Sequence, residues 1–282
     1  MRLAWPITTA LLAFTLAGPR PAAAQALELP RLSPGAKVSQ VVGLTEISVD
    51  YSSPAARGRA VFGGLVPYDK LWRTGANQAT KITFSKDITV GGKPVPAGTY
   101  ALFTIPAKQA WTVILNKNPN QGGTNDYKQE LDLLRFPVKP ATAPKRERLT
   151  FLFSNTSEDA TSLDLEWAGV RVSIPIKAET AKQVAAALKA LDAMPGRPLI
   201  IAARYLLDAK KDYPRALRYV DSALALKEEW FGLWTKAQLL AAMGKKPAAC
   251  PAAKSAQEAG AKAPYFPFAD DVKKALAEWK CK

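Results

Sequence analysis

A chain of 282 residues with 48% hydrophobic composition can bury one large core or two ordinary ones, which sets aside a disordered chain. It carries 39 Lys and Arg against 24 Asp and Glu, a formal net charge of +15, and no histidine. Without His there is no Ser-His-Asp or Cys-His machinery and no ordinary zinc site, and two cysteines far apart cannot make a Cys-only metal centre, so neither a metal nor a cofactor is expected.

The chain opens MRLAWPITTALLAFTLAGPRPAAAQALELP: an early Arg2, an apolar run from Leu3 to Ala17, and small residues at Ala22, Ala23 and Ala24. That layout is a secretory signal peptide over residues 1–24, cut after Ala24. The run is shorter than the roughly 20 residues a membrane anchor needs and is closed by Gly18, Pro19 and Arg20. No later run is long or apolar enough to span a bilayer, so the expected location is periplasmic or secreted. Outside the cytoplasm, a basic charge dispersed among acids favours solubility, an envelope polyanion or an acidic ligand over nucleic acid.

From Ala36 to Ile176 the dominant period is two. TEISVDY alternates Ile47, Val49 and Tyr51 with Glu46, Ser48 and Asp50; SLDLEW and VRVSIPI alternate in the same way, as strands with one wet face do. Gly91-Gly92 predicts a hairpin turn, and the strand after Pro96-Ala97-Gly98 is apolar on both faces, which places it centrally or under cover. TKITF, WTVILN and LTFLF complete eight or so strands. Residues 25–178 are therefore expected to form an all-β antiparallel sandwich.

One segment breaks that period. Between Tyr51 and Ala79 neither strand nor helix spacing is present, whereas connections in compact domains usually run to about 4–6 residues. The segment holds Arg57, Arg59, Tyr68, Trp72, Arg73 and Asn77. Aromatic faces and guanidinium forks suit sugars, carboxylates and phosphates, so these six are the candidate ligand-binding residues. The alternative makes the loop a structural plug, with Phe62, Val66, Tyr68 and Trp72 as a small core and Arg73 paired with Asp50 or Asp69. Asp126, Glu130 and Asp132 further on have the composition of paired glycosidase acids but no positional constraint, and turns and caps use the same residues.

After Thr180 the spacing becomes helical. Val184, Leu188 and Leu191 share a face, the helix ends before Pro195-Gly196, and Ala216 and Ala223 recur as Ala249 and Ala256. That interval of roughly 33 residues, with turns at Asp212-Tyr213 and Gly244-Lys245, resembles two tetratricopeptide repeats followed by a last helix over 268–279. Residues 179–282 are thus expected to form an all-α, tetratricopeptide-like domain. In an oxidising compartment its two cysteines, Cys250 and Cys281, are a candidate disulfide.

The run SPGAKVSQVVGLTEISVDYSSPAARGRAVFGGLVPYDKLWRTGANQATKITFSKDI, followed by PAGTYALFTIP and WTVILNK, resembles the exported bacterial family known as domain of unknown function 2911, over about Pro30 to Ile176. The resemblance implies a compact β-sandwich in the cell envelope or outside it, and supplies no catalytic residue. The expected function is a non-enzymatic module that binds a glycan or acidic small ligand, with the helical tail as a surface for a protein partner. The alternatives are a carboxylate-based hydrolase of envelope carbohydrate and a purely structural envelope protein.

Overall fold

The computed structural model describes residues 29–191 and 196–281; the signal peptide expected over 1–24 lies outside them. Two antiparallel sheets share one core. The first sheet contains β1 (Gly35–Val42), β2 (Thr45–Ser52), β3 (Thr80–Phe84), β6 (Gly98–Ile105), β7 (Trp111–Asn116) and β8 (Asp132–Val138), neighbours in that order. In the second, β10 (Thr150–Ser154), β11 (Ala160–Trp167), β12 (Val170–Ala178), β4 (Ile88–Val90) and β5 (Lys93–Val95) are neighbours, and β9 (Ala141–Thr142) also pairs with β12. After β3 the chain crosses to the second sheet, makes the β4–β5 hairpin and returns as β6. The hairpin turn is Gly91-Gly92 with φ of +56° and +77°, as a two-residue turn matched to strand twist requires.

Alternation explains the core. Ile47, Val49, Ile82, Leu102, Val113 and Leu115 from the first sheet meet Leu163, Leu165, Trp167, Val172, Ile174 and Ile176 from the second. β6 is interior to its sheet, and its other face, Ala101 and Phe103, is buried as well. There a second, smaller cluster forms with Ala79 and Ile114 under Leu71 and Tyr127. Two edge strands were not legible in the sequence. β1 alternates exposed with only half-buried residues up to the buried Val42, so its alternation carries little apolar signal. β8 contains Pro137, which an edge strand accommodates because one row of its N–H groups needs no ladder partner.

Among the described residues six α-helices follow: α1 (Thr180–Ala190), α2 (Arg197–Asp208), α3 (Tyr213–Leu226), α4 (Trp230–Ala242), α5 (Lys246–Ala261) and α6 (Ala269–Glu278). Asp212 caps α3 by accepting from the Arg215 N–H at 3.2 Å, and Pro214 sits in the first turn, where no N–H is needed. Helices α2 and α3 pack as a pair, as do α4 and α5, and the four spaced alanines, Ala216, Ala223, Ala249 and Ala256, are all buried. Helix α4 is apolar on most sides because α2, α3 and α5 surround it. A Cβ on its Gly232 would lie 2.9 Å from both Ile200 and Leu224, so glycine permits the close approach. Cys250 in α5 is bonded to Cys281 beyond α6, with the Cα atoms 5.5 Å apart.

Candidate functional site

The long loop is ordered by three anchorages, and they distribute the six candidate residues. At its start, Ala55 bridges to Arg148, and the Arg57 N–H donates to Glu147 Oε1 at 2.7 Å. Arg57 turns its guanidinium to the Leu32 carbonyl at 3.3 Å, and Arg59 donates to the Ala56 and Ala55 carbonyls, both at 2.9 Å. These two arginines satisfy backbone carbonyls of the loop and of the segment before β1.

The middle of the loop plugs one end of the main core. Trp72 is stacked on Trp167 with ring centroids 6.0 Å apart, meets Phe62 and Trp111 edge-on, and donates its indole N–H to the Gly75 carbonyl at 3.0 Å. Only 8% of it is exposed, so neither ring face is open to a ligand. Tyr68 lies over Gly63, where a Cβ would come within 2.7 Å of its ring. At the end of the loop, the exposed Asn77 donates to the Ser33 carbonyl and to Ser52 Oγ, both at 3.1 Å. Trp72 is thus enclosed in the core, while the exposed Arg57 and Asn77 reach consecutive carbonyls, Leu32 and Ser33, of the segment before β1.

Arg73 differs from the other two arginines. Residue 72 continues the ladder beyond β3, exchanging both backbone hydrogen bonds with Thr104 at 2.8 and 2.9 Å. Trp72 therefore faces the main core, and alternation turns Leu71 and Arg73 to the opposite face, beside Ala101 and Phe103. Its carbonyl accepts from the Thr80 N–H at 3.2 Å. The half-buried side chain has no acceptor among the described residues, and its Nε is sealed from solvent. Asp50 instead pairs with Lys37 at 3.5 Å, and Arg73 pairs with neither Asp50 nor Asp69.

The backbone here is strained. Arg57, Asp69, Thr74 and Asn77 all have positive φ, and a β-branched residue such as Thr74, at φ +55°, rarely adopts that conformation. Thr74 is fully buried and held from both sides: its Oγ1 donates toward Thr104 Oγ1 at 3.1 Å, and its carbonyl accepts from Thr80 Oγ1 at 2.8 Å. Conformations of this kind cost about 1–3 kcal/mol each and persist where the surroundings over-determine them, often at sites of function.

A second loop, from Lys117 to Leu131, covers the same sheet face, and the sequence offered only turn signals for it. Its Gln121 carbonyl accepts from the Ala79 N–H at 3.0 Å, one residue from the Thr80 N–H that holds Arg73. Gln121 is 1% exposed, and its Nε2 donates to Asn116 Oδ1 at 3.0 Å and to the Asn118 carbonyl at 2.6 Å. Those two acceptors fix the amide orientation, and the buried Oε1 is left with no donor. A Cβ on Gly123 of this loop would lie 3.9 Å from Arg73 Nη1. The two loops thus tie to consecutive residues the backbones of two side chains that each carry a buried, unpartnered polar atom, the donor of Arg73 and the acceptor of Gln121.

Of the three candidate carboxylates, Asp132 is occupied by its neighbours. Asp132 accepts from Asn116 at 2.8 Å, Tyr127 at 2.6 Å and Arg135 at 2.5 Å, while Asp126 and Glu130 are exposed. Burial, and then donation to Asp132, push the Tyr127 phenol above its ordinary range, against the pull of Arg135. On the second sheet, Asp164 and Glu166 of β11 point away from the main core yet are each 1% exposed. Arg146 and Arg171 cover Glu166, and Ser154 donates to Asp164 at 2.8 Å. Burial alone would raise the Glu166 pKa, but hydrogen bonds and charge from the two arginines outweigh it and hold the carboxyl below the ordinary carboxylate range. Among the described residues no group of three or more His, Cys, Asp or Glu could hold a metal ion, and no helix is long and apolar enough to cross a membrane.

The molecule thus joins two antiparallel sheets on one core, plugged by an arginine-bearing loop, to packed helix pairs. Residues 33–176, half of the chain, match the family described as Protein of unknown function (DUF2911), and the chain is a member of that family. No curated protein and no solved structure matches it.

Proposed function

We propose that this protein is an exported, non-enzymatic binding module, and that its two-sheet part holds a polar, negatively charged ligand at Arg73. The observation that carries this is the half-buried, unpartnered guanidinium on a strained and fully anchored stretch of backbone. A buried donor without an acceptor costs about 1–3 kcal/mol, and an anion removes that penalty while gaining a charge-assisted bond. Arg57 and Arg59 serve to hold the loop, and Trp72 supports Arg73 from the core side rather than stacking on the ligand. In the same proposal the leader is cut after Ala24, placing the protein in the periplasm or outside the cell; N-terminal sequencing of exported material that began at Met1 would contradict this.

Thermal-shift titration of residues 25–282 with a panel of carboxylates, phosphates and acidic sugars tests the site. A ligand at about 100 times its Kd stabilises by about 2.7 kcal/mol, a shift of several degrees for a unit of this size. Wild-type protein is expected to respond to at least one anion, and Arg73→Ala to lose that response without unfolding. A panel with no effect on the wild type, or an effect that survives Arg73→Ala, refutes the assignment.

The helical part supports a second contact surface. The α2–α3 and α4–α5 pairs, with buried alanines at the repeat spacing, support two stacked tetratricopeptide-like units. Ile201 and Tyr205, one turn apart on α2, are 58% and 42% exposed, which suits a protein partner. Crosslinking through a photoreactive residue at position 201 in intact cells checks this; labelling no stronger than at an exposed polar position of α3 would exclude it.

A further inference from the structure

Resting on the Arg73 proposal, we infer that the ligand is a hydroxy acid, such as a uronic or aldonic sugar acid: its carboxylate accepts from Arg73 and a nearby hydroxyl donates to Gln121. The chemistry follows from the two unpartnered atoms. Arg73 Nε is a buried donor, and Gln121 Oε1 is a buried acceptor. The Gln121 amide cannot reverse to exchange these roles, because its Nε2 already faces two oxygens, Asn116 Oδ1 and the Asn118 carbonyl. The backbones carrying the two groups are tied to consecutive residues, Gln121 to Ala79 and Arg73 to Thr80.

Simple anions satisfy only half of this arrangement. Sulfate, or a carboxylate with no hydroxyl, offers acceptors to Arg73 and no donor to Gln121. A neutral sugar offers hydroxyls to both and no charge for the guanidinium. A hydroxy carboxylate supplies the charge and the donor within one small molecule, and sites whose polar groups are all paired by the right ligand discriminate against analogues that leave one unpaired. Both atoms are shielded from water, so in this proposal the ligand enters only where the chain at Gly123, whose Cβ would lie 3.9 Å from Arg73 Nη1, moves aside.

Isothermal titration of the mature chain separates the possibilities with three sets of probes. The first is D-galacturonate, D-glucuronate and D-gluconate; the second is cyclohexanecarboxylate and sulfate; the third is D-galactose. At least one member of the first set is expected to bind about tenfold or more tighter than every member of the other two, as one additional satisfied hydrogen bond provides. That binding should disappear in Arg73→Ala and weaken in Arg73→Lys, with melting of each variant recorded as a control for folding. Equal binding of hydroxy acids and plain anions, still dependent on Arg73, overturns the hydroxy-acid inference and leaves the anion site standing. Binding of plain anions alone has the same consequence. No binding by any hydroxy acid, or binding indifferent to Arg73, overturns the inference.

Discussion

Replacing Arg73 by alanine should leave thermal stability nearly unchanged, whereas replacing Arg59 should not. Arg59 donates two hydrogen bonds of 2.9 Å to loop carbonyls. Bonds from a charged donor contribute about 1.5–3 kcal/mol each when well shielded, but this side chain is exposed, so the pair together is worth about 1–2 kcal/mol. At about 2–4 °C per kcal/mol for a unit of this size, Arg59→Ala should lower the melting midpoint by about 2–8 °C. Arg73 has no acceptor to lose. Its removal returns the penalty of a sealed, unpaired N–H and forfeits the packing of its aliphatic stem, two contributions of about 1 kcal/mol each and of opposite sign. Differential scanning calorimetry of the two variants without ligand decides the matter. If Arg73→Ala melts lower than Arg59→Ala, the guanidinium is structural and the premise of the binding site fails.

Trp72→Ala should cost about 3–5 kcal/mol, through the cavity it leaves among Phe62, Trp111 and Trp167, and a chemical denaturation midpoint unchanged from wild type would remove this residue from the core. Reducing the Cys250–Cys281 bond, which spans 31 residues, should destabilise the helical part by about 3–4 kcal/mol on the chain-entropy model and leave the two-sheet transition in place; alkylation of two thiols in the native, unreduced protein would show that the bond is absent. Glu166, held below its unfolded-state pKa, contributes stability that is complete above the ordinary carboxylate range and is lost as the pH falls through its lower folded value. Urea midpoints measured between about pH 7 and pH 2 should therefore fall less steeply in Glu166→Gln than in wild type, and parallel curves would show that the pairing carries no such linkage.

The strands that bury one face were legible because alternation records burial directly: TEISVDY, TKITF and WTVILN match β2, β3 and β7 closely. Alternation does not record what lies over the other face. Asp164 and Glu166 have the spacing of a solvated face, yet they are buried, because Arg171, directly opposite Glu166 on β12, and Arg146, from the segment before β10, cover them. The six candidate residues were located in one loop, but sequence proximity does not determine which arginine finds an acceptor. That depends on chain crossings such as the Trp72–Thr104 exchange, which divides adjacent residues between two faces of a sheet. Gln121 was missed for the same reason. A glutamine among turn residues carries no signal until a second loop gives it one.

Helix α1 has two allegiances. Its apolar residues Leu188, Val184 and Leu191 join the core of α2 and α3, and Tyr219 and Arg215 of α3 both donate to its Leu188 carbonyl. Its Gln183 reaches back to Thr45 Oγ1 at 3.0 Å and to the Asp87 carbonyl at 3.3 Å, while Thr180 donates to the Glu158 carbonyl at 3.1 Å. The Gly43 turn of the β1–β2 hairpin lies so close that a Cβ there would fall 2.1 Å from Thr180 Oγ1. Similarity to the family stops at residue 176, but the physical joint does not: β12 still pairs Ala178 with Ile88, and α1 follows as a shared beam. A truncation that honours the family boundary would carry this beam away with the helices and strip the sheets of the Gln183 and Thr180 hydrogen bonds and of the Ala178–Ile88 pairing, so a cut made for the convenience of a smaller fragment would leave the two-sheet piece with an open wound.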